Sequence, residues 1–173
     1  ITMLAIGNLD AYTLAGRIKK IHPAVPIVVL TPFSREVMQQ LKGQDQSAID
    51  YVFYWLGNMD ILLAIIKLIE DKMNVRHDVK EVGVQIILLV EDSIRFYSSY
   101  LPTMYKIILK QSRFFMTEGL NDFIEKLRMR GRPKILLATT YEEAYSIFSK
   151  YKDNMLGIIS DIRYKHNGAL DPE

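Results

Sequence analysis

The chain has 173 residues, of which 49% are hydrophobic and 24% charged, with a formal net charge of +2. This composition is typical of a globular protein, and so small a charge gives no support for binding to nucleic acid or to an acidic membrane. The absence of cysteine excludes disulfides, thiol catalysis and zinc–thiolate sites. No signal peptide is recognisable at residues 1–10 and no continuous apolar span is present, so a cytoplasmic location is expected.

The first half of the chain alternates helical patterns with short apolar or aromatic runs. Asp10 is placed to cap the first helix, and the residue before Pro23 is disfavoured in a helix. The pattern predicts, in order, helix 9–21, strand 27–30, helix 34–42, strand 51–55 and helix 60–72. Strands and helices that alternate with short connections are typical of a parallel, doubly wound sheet.

The second half is organised around residues 84–93, which read VQIILLVEDS. An apolar run this short, without alternation, predicts a strand buried on both faces. Residues 74–84 are charged, show no clean period and are predicted to be a linker. The remaining elements are predicted in this order: helix 94–109, interrupted or restarted at Pro102; helix 117–129; strand 134–138; helix 141–151, capped by Thr140 with Glu143; and a final buried strand 155–160.

Three carboxylates follow two of these predicted strands. Glu91 and Asp92 come directly after the first, and Asp161 comes directly after residues 155–160. Open α/β sheets bind ligands at the carboxyl ends of their strands, and adjacent carboxylates ionise most readily with a cation between them. The acids therefore predict an Mg²⁺ site, where an aspartate could attack a phosphorus centre. The alternative is that they only cap helices and solvate the edge of the sheet.

A basic cluster follows the predicted helix 117–129. The favoured interpretation is that its cations lie at a helix C-terminus and are solvated; a contact with phosphate or a partner is the alternative. There is neither a Walker A loop nor a Gly-x-Gly-x-x-Gly pattern, so a nucleotide cradle lacks support. Nucleic-acid binding is not expected, because it would depend on this cluster alone. Its members are Arg128, Arg130, Arg132 and Lys134.

ILLVEDS followed by a helix, and later GIISDIR, strongly resemble the first and third strands of response-regulator receiver domains. The resemblance implies a flavodoxin-like, three-layer αβα fold and a role in two-component phosphorelay signalling. It implies that Glu91, Asp92 and Asp161 bind Mg²⁺ and that Asp161 is also the phosphoacceptor. The main-chain carbonyl of Arg163 would be a further metal ligand. A histidine kinase or a small phosphodonor would supply the phosphoryl group.

The first half resembles the remaining part of a receiver. PIVVLTPFS is similar to the fourth strand, with Thr31 as the switch residue, and DYVFYWLGNMDILLAIIKLIE to the fifth strand and last helix. The receiver lysine would fall at Tyr54, so this half resembles a degenerate pseudoreceiver. The expected organisation is the C-terminal part of one receiver at 1–73, a linker at 74–84, and the N-terminal part of a second receiver at 85–173, with an insertion near 110–133.

The long insertion and the VFYWLGN strand also resemble the N-terminal regulatory region of phosphoenolpyruvate-synthase-like (pyruvate, water dikinase) proteins, although no residue of a dikinase catalytic domain is present. We expect a piece of a longer protein, itself not an enzyme, that accepts phosphate at Asp161. The alternatives are a pseudoreceiver pair used for dimerisation or docking, and the regulatory part of a phosphotransferase. Because each half alone would leave a sheet edge unpaired, the halves are expected to pack together within one chain or by exchange in a homodimer.

Overall fold

The computed structural model describes residues 1–6, 9–32, 47–116, 132–161, 165–166 and 169–170. The chain divides into two compact units, Ile1–Ile61 and Leu62–Glu173. The predicted helices at 34–42 and 117–129 and most of the expected insertion lie outside the described residues. The described elements are, in order, β1 (Ala5–Ile6), β2 (Leu9–Asp10), α1 (Ala11–Ile21), β3 (Val28–Pro32), β4 (Tyr51–Trp55), α2 (Asp60–Val82), β5 (Ile86–Val90), α3 (Ile94–Met116), β6 (Lys134–Ala138), α4 (Tyr141–Tyr151), a 3₁₀ turn (Lys152–Asn154), β7 (Met155–Ser160), β8 (Lys165–His166) and β9 (Ala169–Leu170).

The first unit contains α1 and a parallel pair, β3 and β4. The pairing is in register from Val28 opposite Tyr51 to Pro32 opposite Trp55. The Asp10 side chain caps α1, as predicted, and accepts a 2.8 Å hydrogen bond from the Thr13 main-chain N–H. β3 and β4 bury their central residues almost completely, which matches their largely apolar and aromatic sequences.

The second unit contains a three-stranded parallel sheet in the order β6-β5-β7. One face of β5 and β6 is covered by α2 and α4. The inward-facing side chains of these strands and helices form an apolar cluster. Burial of this cluster removes apolar surface from water and so favours the folded unit. The cluster comprises Val75, Val79, Ile86, Leu88, Val90, Leu136, Ala138, Ala144, Ile147, Tyr151 and Met155.

Two helices are longer than the sequence pattern predicted. α2 continues to Val82 through most of the expected linker, because Asp71, Val75 and Val79 recur at every fourth position and face inward. One carboxylate and two valines do not produce a recognisable apolar period. α3 runs without interruption through Pro102, which is itself buried. Proline removes one main-chain donor, and burial of the neighbouring Leu101 and Tyr105 favours the continuous helix.

The prediction that residues 155–160 form a buried strand is correct for the strand and wrong for its burial. In the described part of the chain, β7 pairs only with β5 and lies at the edge of the sheet. Leu156, Ile158 and Ile159 are 52%, 50% and 49% exposed. An apolar run predicts a strand but does not reveal how many neighbours cover it.

The mixed α/β class and the parallel pairing of the longer strands are confirmed. The doubly wound, flavodoxin-like order stays a prediction, as do the assignment of the two halves to incomplete receivers and their packing together. Within the ranges described above, no helix is both long and apolar enough to cross a membrane.

Candidate functional site

Parallel pairing brings the acidic residues to one edge of the second sheet. The Glu91 main-chain N–H donates to the Ala138 carbonyl at 3.0 Å, and the Asp161 N–H donates to the Val90 carbonyl at 3.1 Å. These bonds extend the strand ladders by one residue, so Glu91 and Asp161 leave neighbouring strands at the same carboxyl end. The acids are therefore positioned by the backbone of the sheet.

Glu91 is the buried member of this group. Its side chain is 3% exposed, and Oε1 accepts a 3.0 Å hydrogen bond from the Ser93 N–H. Burial raises the pKa of the Glu91 carboxyl; the Ser93 N–H opposes this, while the charges of Asp161 and Asp92 raise the pKa further. Three carboxylates thus share this end of the sheet. A bound cation would reduce the repulsion between their negative charges.

Three polar residues lie at the carboxyl end of the neighbouring strand β6 and in the connection to α4. Glu143 Oε2 accepts hydrogen bonds from the Thr139 N–H at 2.9 Å and from its hydroxyl at 3.2 Å, while Thr140 Oγ1 accepts from the Glu143 N–H at 3.2 Å. The predicted cap by Thr140 is confirmed. The Glu143 carboxylate, however, reaches Thr139 rather than the N–H of the capping residue itself. This carboxylate is therefore occupied in the β6–α4 connection.

The carboxylate oxygens at this edge are the kind of ligand that Mg²⁺ prefers. Among the residues that the structure describes, no group of three or more His, Cys, Asp or Glu side chains is placed to hold a metal ion. Arg163, whose main-chain carbonyl was the fourth expected ligand, lies outside the described residues. The structure thus brings Glu91 and Asp161 to one edge, beside Asp92, without gathering the acids into a closed metal centre.

The two residues singled out in the first half are both buried in the first unit. Thr31 on β3 and Tyr54 on β4 are register partners, and they are 0% and 2% exposed. Burial raises the pKa of the Tyr54 hydroxyl. Tyr54 is therefore neutral at physiological pH, unlike the lysine of a receiver.

A buried network that sequence reasoning missed is centred on Asp71. This carboxylate is 0% exposed and accepts hydrogen bonds from the Tyr105 hydroxyl at 3.0 Å and from the Ile135 N–H at 3.0 Å. Arg132 Nη2 lies 3.1 Å and Lys134 Nζ 3.3 Å from Asp71 Oδ1. The network joins α2 and α3 to β6. No local sequence pattern signals this network, because the partners of Asp71 lie 34 to 64 positions away in the chain.

Arg132 and Lys134 are consequently not the solvated cations that were expected. Lys134 is 7% exposed and also contacts Asp78, with 2.6 Å between Nζ and Oδ2. Burial by itself raises the pKa of Asp78, but the hydrogen bonds and charges of Lys134 and His77 hold the pKa below its usual value. Both cations contact carboxylates within the second unit. Their positions are therefore explained without a phosphate ligand. Arg128 and Arg130 lie outside the described residues.

Compared with known proteins, the chain matches no family model, no curated protein and no solved structure. The resemblance to receiver domains therefore depends on the short motifs alone, and so does the narrower resemblance to the phosphoenolpyruvate-synthase-like regulatory region. Both stay predictions.

The raised pKa of Glu91 predicts a pH-dependent stability. A carboxyl whose pKa is raised by folding favours the folded state when protonated; this contribution is complete below the ordinary pKa of 4.5 and is lost as the pH rises through the raised value. We expect Glu91→Gln, which retains an acceptor for the Ser93 N–H, to increase the urea midpoint at pH 7 and to change it much less at pH 4.

The exposed carboxylate of Glu81 on α2 provides the matched control, Glu81→Gln. Urea unfolding followed by circular dichroism at both pH values would measure the two differences. The explanation fails if both variants raise the urea midpoint equally, or if Glu91→Gln raises the midpoint by the same amount at pH 4 and pH 7.

Proposed function

We propose that the second unit is a receiver-like phosphoacceptor module in which Asp161 takes up a phosphoryl group with the help of Mg²⁺. One observation carries the proposal: Asp161 leaves the sheet beside Glu91, whose pKa is raised mainly by burial and further by the charges of Asp161 and Asp92. Carboxylates that only cap helices would not have to lie close enough to repel one another. A cation binding among acids that repel each other lowers the energy of their ionised forms.

The proposed chemistry starts from the exposed position of Asp161. One of its carboxylate oxygens attacks the phosphorus of a phosphodonor, the bond from phosphorus to the donor oxygen or nitrogen breaks, and the donor keeps the electron pair. The product is an acyl phosphate on Asp161. Bound Mg²⁺ would offset the repulsion between carboxylate and phosphoryl oxygens.

Glu91 and Asp92 would hold the cation. Mg²⁺ commonly takes one or two protein carboxylates and completes its shell with waters and phosphate oxygens. Two carboxylates would therefore be enough protein ligands for this ion. The proposed setting is a cytoplasmic phosphorelay, with a histidine kinase or a small phosphodonor on one side and a larger regulated protein on the other. The proposed fold is the doubly wound, flavodoxin-like order.

The second candidate is a pseudoreceiver that serves only for dimerisation or docking, such as the regulatory region of a phosphoenolpyruvate-synthase-like phosphotransferase. The observation that favours it is Tyr54, which is 2% exposed and uncharged where a receiver carries its lysine. A neutral buried hydroxyl cannot supply the positive charge that pairs with a phosphoryl group.

The test is the intact mass of the protein after incubation with acetyl phosphate and Mg²⁺. We expect a gain of one phosphoryl group in the parent chain, no gain in Asp161→Asn, and a strongly reduced gain in Asp92→Asn or after chelation of Mg²⁺. Asp153→Asn, which changes an exposed acid of the 3₁₀ turn just before β7, should be phosphorylated like the parent.

The other outcomes are equally informative. A folded protein that binds Mg²⁺ but gains no phosphoryl group would favour the docking pseudoreceiver. A gain that persists in Asp161→Asn would show that another residue is the acceptor and would overturn the assignment of Asp161. Failure to bind Mg²⁺ at all would leave the acids as caps of the sheet edge.

A further inference from the structure

The two outer edges of the three-stranded sheet differ. β6 forms one edge, and its residues Lys134–Ala138 are all buried. The Lys134 N–H donates to the Gln85 carbonyl on the β5 side, so the next N–H, that of Ile135, points away from β5. This outward N–H donates to the buried carboxylate of Asp71 at 3.0 Å. β7 forms the other edge, and no strand in the described part of the chain lies beyond it.

The hydrogen bonds of β7 show which of its main-chain groups face outward. The Asp161 N–H donates to the Val90 carbonyl on β5, and the main-chain groups of successive strand residues point to opposite sides. Asp161 and Ile159 therefore face β5, whereas the N–H and C=O groups of Ile158 and Ser160 point away from the sheet. An edge of this kind pairs with an extended strand, because a strand presents donors and acceptors at the matching spacing.

The side chains of β7 are apolar on both faces of the sheet. Ile158 is in register with Leu88, so it lies on the face that α2 and α4 cover, and Ile159 lies on the opposite face. The two isoleucines are 50% and 49% exposed. Residues 155–160 include neither a charged residue nor a proline, the residue types that commonly protect an edge strand from pairing. A strand that pairs with β7 must therefore be apolar on both of its own faces.

We propose that β7 pairs with β7 of a second copy of the chain, antiparallel and about a twofold axis. The second copy supplies a strand that is extended, open at its edge and apolar on both faces. Because the edge at β6 is protected, the pairing uses the one open edge of each sheet and closes at a dimer. This inference goes beyond the proposed phosphoacceptor function and does not depend on it.

The outward-facing residues determine the register of the pairing. The register irregularity of β7 is confined to its first residues, so residues 157–160 are regular. When Ile158 of each copy lies opposite Ser160 of the other, all outward main-chain groups of this regular part are paired. This register places Ile159 on the twofold axis, where the two exposed isoleucine side chains contact each other.

A strand of an unrelated protein is the competing occupant, and the charges and side chains of β7 favour the second copy. In the proposed register each Asp161 lies opposite Gly157 of the other copy. The two Asp161 carboxylates are then four residues, or about 13 Å, apart along the strands, so they do not oppose each other. A strand with one polar face would instead bury polar side chains against the isoleucines of one face of β7, which is unfavourable.

The first test is the oligomeric state of the full chain, measured by analytical ultracentrifugation. We expect an equilibrium between monomer and dimer. Ile159→Lys places two ammonium groups opposite each other at the twofold axis and should weaken the dimer about tenfold or more. Ile107→Lys makes the same change on α3, at a residue that is 53% exposed, and should leave the dimer unchanged. Circular dichroism establishes that each variant is folded.

Single cysteines test the register, because the chain has none of its own. In the proposed pairing the two copies of residue 159 are a non-hydrogen-bonded pair with Cα atoms about 4.5 Å apart, a separation that a disulfide can span. Ile159→Cys should therefore form a disulfide-linked dimer under mild oxidation. Leu156→Cys, at a residue that is 52% exposed, is the matched control. Its two copies are offset by six positions, or about 20 Å, and should stay unlinked.

Several outcomes would overturn the proposal. One is a chain that stays monomeric at every concentration measured. Another is a dimer that Ile159→Lys weakens no more than Ile107→Lys does. Cross-linking of Leu156→Cys as fast as that of Ile159→Cys would contradict the register, and species larger than a dimer would contradict the closure at β6.

Discussion

Replacing Asp71 with asparagine is expected to lower the free energy of unfolding of the second unit by about 3 kcal/mol. The side chain is 0% exposed and receives hydrogen bonds from Tyr105 and the Ile135 N–H. Removing its charge leaves the buried ammonium of Lys134 and the guanidinium of Arg132 without their closest shared counter-charge. Removing one partner from a buried charge network lowers the free energy of unfolding by roughly 3–5 kcal/mol, because the remaining charges stay desolvated.

The lower end of that range is expected because each cation retains a second acid. Lys134 still contacts Asp78 at 2.6 Å, and Arg132 still lies 3.7 Å from Glu70. Urea unfolding followed by circular dichroism would measure the loss. Tyr105→Phe, which removes a single hydrogen bond from the same carboxylate, should cost about 1 kcal/mol. If Asp71→Asn lowers the free energy of unfolding no more than Tyr105→Phe does, the ion pairs of the network contribute nothing to stability.

Replacing Leu88 with alanine is expected to cost about 2–5 kcal/mol. Leu88 lies at the centre of β5, is 1% exposed and belongs to the cluster that α2 and α4 cover. Truncation removes buried methyl groups and leaves a cavity between strand and helices that a close-packed sheet can close only in part. The measurement is the decrease in the urea midpoint. The slope of the unfolding free energy against urea concentration should be unchanged.

Leu156→Ala on β7 is the matched control, because it makes the same chemical change in the same sheet. Its side chain is 52% exposed, so less contact is lost and little cavity forms. A cost near that of Leu88→Ala would show that the edge strand is more deeply buried than the described structure indicates.

Local elements were predictable from the sequence where their determinants are local. The Asp10 and Thr140 caps are hydrogen bonds to main-chain groups three residues ahead, so residue type and spacing sufficed. The strand at 134–138 was predicted to the residue from the apolar run at 135–138 that follows Lys134. Parallel pairing followed from alternation of strands with helices, which leaves few other topologies.

The errors concern contacts between residues far apart in sequence. Asp71 meets Arg132 61 positions later, and no local pattern announces that a carboxylate and a guanidinium will share a buried position. The basic cluster was therefore assigned to solvent. Likewise, the exposure of β7 depends on which strands lie beside it. Of the candidate site, the common edge of Glu91 and Asp161 follows from topology, whereas the orientation of Glu91 toward the Ser93 N–H depends on packing.

The position of Trp55 gives the protein an internal optical reporter. It is the only tryptophan of the chain and lies on β4 in the first unit, whereas Asp71, Leu88 and Glu91 all belong to the second. Its fluorescence during denaturation reports on the surroundings of β4 in the first unit, while circular dichroism reports on the helices and strands of both units. A substitution in the second unit that shifts the tryptophan signal would therefore reveal thermodynamic coupling between the two units, without any dye or added label.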